Sequence, residues 1–257
     1  VTYESDTYGE RAAARYDDLY GDFTPPQEQI LLLAALAGDT PAVEIGSGTG
    51  RVTLPLAERV PVVAVDASAE MTDQLTKKTG RLPITSVTAD AAHYVHAAPV
   101  DLVFACFNTF FLLAREDTQR AFLTRAAQML TPAGVLLIET FVPRPGERLP
   151  DGPHPGVFPE RQTVSLKRLA PGTSVLFTAE NHRDEGEFHY NEVVLSDGAL
   201  PRVLPGRMRY WQPEEIDVLA ADAGLALRER WSDWNRTPYE PGTSPKHITL
   251  YRRTGHS

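Results

Sequence analysis

The strongest constraint on this chain lies in residues 41–50, which read PAVEIGSGTG. A short buried strand over 42–45 runs straight into alternating glycines, Gly46, Gly48 and Gly50, and a helix is predicted over 51–59. Strand, glycine turn and helix open a βαβ unit whose backbone N–H groups face a bound ligand. Glycine suits such a turn because a Cβ would clash with the ligand or forbid a positive φ. A glycine-rich turn is a weak signal alone, so the following sequence decides what it means.

Strands and helices alternate on either side of that turn. Helices are predicted over 10–20, with Tyr16 and Tyr20 on one face, and from an N-cap at Thr24 and Pro25 to a stop at Gly38. A β-branched strand over 62–65 ends in Asp66, and Ser68 caps a helix that runs to about Lys78 before Gly80. Further strands are predicted over 83–88, 101–106 and 135–141, with an amphipathic helix over 117–130. Five such alternations imply a doubly wound, mostly parallel α/β sheet. After the fifth strand the pattern changes. A loop over 142–160 precedes alternating strands over 163–169, 174–181, 188–195 and 207–211, an antiparallel insertion. A helix over 213–224 and strands over 226–231 and 247–252 close the sheet as an antiparallel hairpin. The expected organisation is one domain over 1–257, with 1–37 capping the ligand site and 142–211 forming a lid.

Composition narrows the partners. Acidic residues outnumber Lys plus Arg by 34 to 25, for a formal net charge of −9, which opposes nucleic-acid binding. A lone cysteine, Cys106, excludes an internal disulfide framework and fits a reducing cytoplasm. No apolar run is long enough to span a membrane, and residues 1–9 carry no signal-peptide pattern. No His, Cys or Asp grouping has metal-ligand spacing, so no metal is expected. The Ala, Arg and Pro content resembles that of actinobacterial proteins.

Asp66 follows Gly46 by 20 residues, where an acid accepts hydrogen bonds from both hydroxyls of a ribose. That placement fits an NAD(P) oxidoreductase or an S-adenosylmethionine enzyme. Gly-x-Gly-x-Gly preceded by Glu44 departs from the Gly-x-Gly-x-x-Gly that admits a pyrophosphate. A second acid, Asp90, ends the third strand, placed to accept from an adenine amine. Both features, with the late hairpin, favour S-adenosylmethionine.

VEIGSGTG, VVAVDASAEM, VTADAAHY, DLVFACFNTFFLL and LTPAGVLLIETF resemble, in order and spacing, the motifs of class I S-adenosylmethionine-dependent methyltransferases, across roughly residues 8–255. The resemblance implies a Rossmann-like fold and S-adenosyl-L-methionine as cofactor. It also implies that Glu44, Gly46, Ser47, Gly48 and Arg51 line the methionine and ribose part, and that Asp66 and Ala67 hold the ribose. Met71 then lies against the adenine or the ribose, Asp90 and Ala91 border the adenine, and Cys106, Phe107 and Asn108 border the methyl group. Within the superfamily, ARYDDLY, EFHYNEVVL and WQPEEIDVLAADAG are similar to small-molecule enzymes of secondary metabolism, including N,N-dimethyltransferases of nucleotide-linked aminosugars. That likeness makes Tyr16 a cofactor contact and Tyr20 a contact to the acceptor with a catalytic part. Those sugar enzymes carry a histidine shortly after the fourth strand. This chain has Phe110, Phe111 and Leu112 instead, implying an apolar acceptor packed on Phe107, Phe110 and Phe111.

His189, on an insertion strand, is the candidate general base for a hydroxyl acceptor, whereas an amine needs only positioning. His93 and His154 are weaker candidates. Tyr210 and Trp211 are candidate substrate contacts, within an aromatic and polar set that includes Arg209, Trp231, Trp234 and Asn235. Cys106 lacks the preceding proline of cytosine-5 methyltransferases, having Ala105, and reads as a small buried hydrophobe. The expected reaction is methyl transfer to an N or O atom of a small molecule. The alternatives are a catalytically silent cofactor-binding module and, from another class, an NAD(P) oxidoreductase. Oligomeric state is open, with the exposed insertion strands as the place where a homodimer would pair.

Overall fold

In the computed structural model, residues 6–20, 24–146 and 158–255 are described. His154 and the first residues of the chain lie outside them.

The N-terminal segment comprises α1 (Thr7–Ala12), a 3₁₀ turn and α2 (Tyr16–Tyr20), and α3 (Gln27–Ala37) follows. β1 (Ala42–Ile45) leads through the glycine turn to α4 (Thr53–Ala57), then β2 (Val62–Asp66), α5 (Ala69–Lys78) and β3 (Ile84–Thr88). Next come β4 (Val100–Ala105), α6 (Thr109–Leu112), α7 (Glu116–Met129) and β5 (Leu130–Phe141). The second sheet is formed by β6 (Gln162–Ala170), β7 (Thr173–His182), β8 (Glu187–Ser196) and β9 (Arg202–Arg209). The chain then returns through α8 (Pro213–Asp222), β10 (Leu225–Trp231) and β11 (Lys246–Arg253).

The main sheet has the order β10-β11-β5-β4-β1-β2-β3. β3, β2, β1, β4 and β5 run parallel, while β11 is antiparallel to both β5 and β10. Alternation along the central strands sends apolar side chains to both faces. Val43, Ile45, Val103, Ala105, Leu136 and Ile138 pack under α6, α7 and α8, and Ala42, Leu102, Phe104, Val135 and Leu137 under α3 and α4. Covering both faces makes the sheet doubly wound. The order changes direction at β1 and β4, so a crevice opens beyond their C-terminal ends.

The expected N-caps fare differently. Ser68 accepts from the Met71 N–H at 3.2 Å and starts α5. Thr24 does not cap α3, whose first turn begins after Pro26. No helix joins β3 to β4, so the five-fold alternation fails at one crossing. Asp90 instead takes the Ala92 N–H at 2.7 Å and opens a single turn that goes no further.

The second sheet is antiparallel, in the order β6-β7-β8-β9. Its inner face, carrying Phe177, Ala179, Phe188 and Tyr190, continues the core beneath α6 and α7. Its last strand begins earlier than the sequence pattern suggests, because Pro205 and Gly206 look like breakers. Proline is tolerated at an edge without disturbing the ladder, and β9 is an edge. Gly206 is needed for packing: a Cβ there would stand 2.0 Å from the Tyr190 ring.

Candidate active site

The glycine turn is shaped by its backbone. Gly46, Gly48 and Gly50 have φ of 74°, 55° and 97°, in the region that favours glycine. A Cβ on Gly46 would meet Thr109 Cγ2 at 2.4 Å, whereas one on Gly48 would meet no protein atom nearer than Tyr16 at 3.9 Å. Gly46 is therefore fixed by close packing against α6, and Gly48 leaves space at the cavity wall.

That cavity lies beyond the C-terminal ends of β1, β2 and β4. One wall is Glu44, Gly46, Ser47, Gly48 and Arg51, another is Asp66, Ala67 and Met71, and Ala89 and Ala91 form a small-residue flank. Cys106, Phe107, Thr109, Leu112 and Leu113 border the side beyond β4, and Tyr8, Gly9 and Tyr16 close the top from the N-terminal segment.

Asp66 is held rigidly, its Oδ2 accepting from the Gly48 N–H at 2.8 Å and its Oδ1 from the Ser68 N–H at 2.9 Å. Burial raises its pKa, and those two donors pull it back. Glu44 is buried more completely. Burial pushes its carboxyl up to about 8, against the opposing influence of the Thr53 hydroxyl and Arg51. Burial also lifts the Tyr16 phenol to about 12 and the Cys106 thiol well above its ordinary range, with Glu139 and Glu44 adding to the latter. Cys106 is accordingly a buried neutral thiol, not a nucleophile.

Opposite the cradle the lining residues Tyr8, Tyr16 and Phe107 rest on Tyr20, which lies behind them and does not itself line the cavity. Arg51 stacks over the Phe107 ring at 3.9 Å, Tyr20 meets Phe107 edge-on at 6.2 Å, and Tyr16 stacks on Tyr20 at 4.6 Å. The Tyr20 hydroxyl donates to Glu192 Oε1 at 2.6 Å, and the Tyr8 hydroxyl donates to Tyr20 at 3.0 Å and to Glu192 at 3.3 Å. Glu192, on β8, is 0% exposed. Both phenols are raised far above the ordinary tyrosine range, chiefly by burial, and remain neutral donors.

Several expected site residues lie elsewhere. Phe110 and Phe111 are wholly buried among Phe122, Leu123 and Phe141, because α6 turns that face into the core. Asn108 spends its side-chain oxygen on the Phe141 N–H at 2.8 Å. Tyr210 donates to Asn181 at 2.7 Å and Trp211 to Gln119 at 2.7 Å, so both tie the second sheet and its exit to neighbouring elements. His189 points away from the cavity. Phe188, Tyr190, Glu192 and Val194 form the buried face of β8, and His189 stands on the other, 2.8 Å from Glu187. Asp90 is at the margin, between the lining residues Ala89 and Ala91 but not itself on the wall. Trp231 and Trp234 belong to the core beneath α3 and α4.

Tyr8, Gly9, Thr109, Leu112, Leu113 and Glu192 were not singled out by sequence. The first helix starts at Thr7, earlier than the predicted 10, and so takes in Gly9. A glycine inside a helix costs about 1 kcal/mol against alanine, which points to close packing. Its Cβ would stand 2.4 Å from Ser68 Cβ.

The fold and cavity define a doubly wound α/β protein built to hold a nucleoside at the ends of its parallel strands. An acid flanked by a glycine turn suits a ribose, and Met71, Ala89 and Ala91 suit a flat base. Ser47 lines the cavity with a buried hydroxyl that has no hydrogen-bond partner among the described residues. A polar ligand at that wall would satisfy it.

Comparison with known proteins gives the family. A methyltransferase domain model matches residues 42–134. The cypemycin N-terminal methyltransferase of Streptomyces sp is 30% identical over 251 residues, covering 96% of this chain and 98% of that protein. The CcbJ methyltransferase from Streptomyces caelestis is 32% identical and superposes with a TM-score of 0.85, over 98% of this chain and 100% of that one. The sugar N-methyltransferase KedS8 from Streptoalloteichus sp shares the fold, with a TM-score of 0.68 at 17% identity over 98% of this chain and 97% of that one. The chain belongs to the class I S-adenosylmethionine-dependent methyltransferases. Its cofactor is S-adenosyl-L-methionine. Among the described residues no helix is long and apolar enough to cross a membrane.

Proposed function

We propose that this enzyme methylates an amine nitrogen of a small molecule, in actinobacterial secondary metabolism, and that residues 1–257 work as one unit. The N-terminal segment and the second sheet cap the cavity in this reading, because Tyr8 and Tyr20 of the former reach Glu192 of the latter. The bound cofactor supplies an electrophilic methyl group. Glu44, Gly46, Ser47, Gly48, Arg51, Asp66, Ala67, Met71, Ala91, Cys106 and Phe107 are the proposed cofactor contacts, with Asp90 at the margin and Tyr16 above. Tyr8 and Tyr20 are the proposed contacts for the acceptor.

The observation that carries the amine assignment is the chemistry of the wall. No imidazole and no lysine is present among the described residues that line the cavity. Of the acids there, Glu44 is engaged by Thr53, and Asp66 by two backbone N–H groups. A hydroxyl acceptor needs a positioned base, whereas an amine with a free lone pair needs orientation and the exclusion of water. Aromatic faces beside a buried carboxylate also suit a nitrogen that becomes cationic as it is methylated. Two relatives support the choice, one named an N-terminal methyltransferase and one a sugar N-methyltransferase.

The test is mass spectrometry of methyl transfer to matched pairs: an aminosugar against its parent sugar, and a peptide with a free against an acetylated N-terminus. Methylation confined to the amine member is expected. Transfer to a hydroxyl with the amine left unmodified sinks the reading.

A further inference from the structure

Phe107 and Asn108 follow β4 with φ of 54° and 66°, two consecutive non-glycine residues in the left-handed region. Such a residue is strained and persists only where its surroundings impose it. The restraint comes mainly from one residue of β5. Glu139 Oε2 accepts from the Phe107 N–H at 3.0 Å, and the Glu139 backbone oxygen accepts from the Asn108 N–H at 3.1 Å. Lys246 Nζ of β11 reaches Glu139 Oε1 at 3.1 Å. Glu139 is 6% exposed, and a carboxylate removed from water to that degree needs such a partner.

We infer that Glu139, held by Lys246, is a positioning residue for methyl transfer: it fixes the left-handed turn that places the Phe107 ring in the cavity wall. Glu139 does not line the cavity, and it acts through Phe107, which does. The turn also presents Arg51 and Tyr20 with the aromatic face and edge they pack on. Buried strand positions around Glu139, such as Leu137 and Ile138, are aliphatic. A carboxylate at this one place matches the one backbone donor that the strained turn leaves to be satisfied.

The experiment measures S-adenosylhomocysteine affinity by calorimetry, together with Tm, on the whole chain. Glu139→Ala is expected to bind about tenfold to a hundredfold more weakly, the range for losing a hydrogen bond to a charged group. Glu139→Gln retains an oxygen for the Phe107 N–H and is expected within about threefold of the native affinity. Thr140→Val removes the Thr140 to His247 bond, 2.8 Å, from the adjacent residue of β5. It is expected to lower Tm without changing affinity, separating positioning from general stability. Lys246→Met is expected to weaken binding severalfold. Native affinity in Glu139→Ala overturns the inference, as does native affinity in Lys246→Met should the alanine variant not fold.

Discussion

The two sides of the cavity are built in different ways. The cradle comes from a short stretch of chain: Gly48 bonds to Asp66 at a separation of 18 residues, and Ser68 caps its own helix at Met71. The opposite rim is assembled from afar. Tyr20 and Glu192 are separated by 172 residues, Tyr8 and Glu192 by 184, and Phe107 and Glu139 by 32. The cradle serves one unchanging ligand and is set by backbone needs that few residue types satisfy. The rim, proposed above for the acceptor, is set by packing, which many residue types satisfy. Cofactor binding should therefore respond to changes in the cradle, and acceptor turnover to changes in the rim.

The largest effect expected is from Asp66→Ala. It removes the acid proposed for the ribose and also the acceptor of the Gly48 and Ser68 N–H groups. Loss of two or more charge-assisted hydrogen bonds predicts roughly hundredfold weaker S-adenosylhomocysteine binding by calorimetry. Near-native affinity would remove Asp66 from the cradle.

Glu192→Leu strikes the rim instead. It leaves the Tyr8 and Tyr20 hydroxyls without their buried carboxylate, a loss of about 2–4 kcal/mol for two hydrogen bonds to a charged acceptor. Turnover of an amine should fall about tenfold or more while cofactor affinity falls by less, a split that marks a group acting on the acceptor. An equal loss in both would show that the two sides are not independent.

Legibility follows the same division. The positive φ of Gly46 and Gly48 and the strand-end place of Asp66 are legible because each satisfies a local rule of turn or strand end. β1 is legible to its end residues, since Pro41 before it and Gly46 after it bound a short strand. The rim was misread where identity was used without orientation. Phe110 and Phe111 follow the cofactor-facing strand, but one turn of α6 carries both rings into the core. In EFHYNEVVL nothing distinguishes Glu192 from its polar neighbours, and only the register of β8 turns it inward. A slip of one residue exchanges the two faces of a strand, and sequence alternation does not say which face is covered.

Glu44 offers a smaller, pH-dependent test within the cradle. Its folded pKa, about 8, lies above the ordinary 4.5, chiefly through burial. Between those values the folded chain keeps a proton that the unfolded chain releases, so the stability linked to this group is full below pH 4.5 and is lost as pH rises to 8. Glu44→Gln cannot titrate. Thermal melts of the unliganded chain should therefore show the native Tm falling more between pH 5 and 8 than that of the variant, by roughly ten degrees. Parallel slopes would mean that the carboxyl is ionised in the folded state.

The smallest effect expected is at His189, and it is the sharpest test of which face of β8 looks inward. The imidazole stands on the outer face with a side-chain exposure of 38%, beside Glu187, which also receives Arg207. A half-exposed side-chain contact of this kind is worth about 1 kcal/mol or less. His189→Ala is accordingly expected to leave turnover within about twofold of native and Tm nearly unchanged, whereas loss of a general base costs a hundredfold or more. A hundredfold loss would require the imidazole to reach the acceptor. Glu192 would then have to leave Tyr20, because residues of odd separation on one strand cannot share a face. The two outcomes are mutually exclusive, so turnover of one methylated amine by Glu192→Leu and His189→Ala reports which face of β8 looks inward.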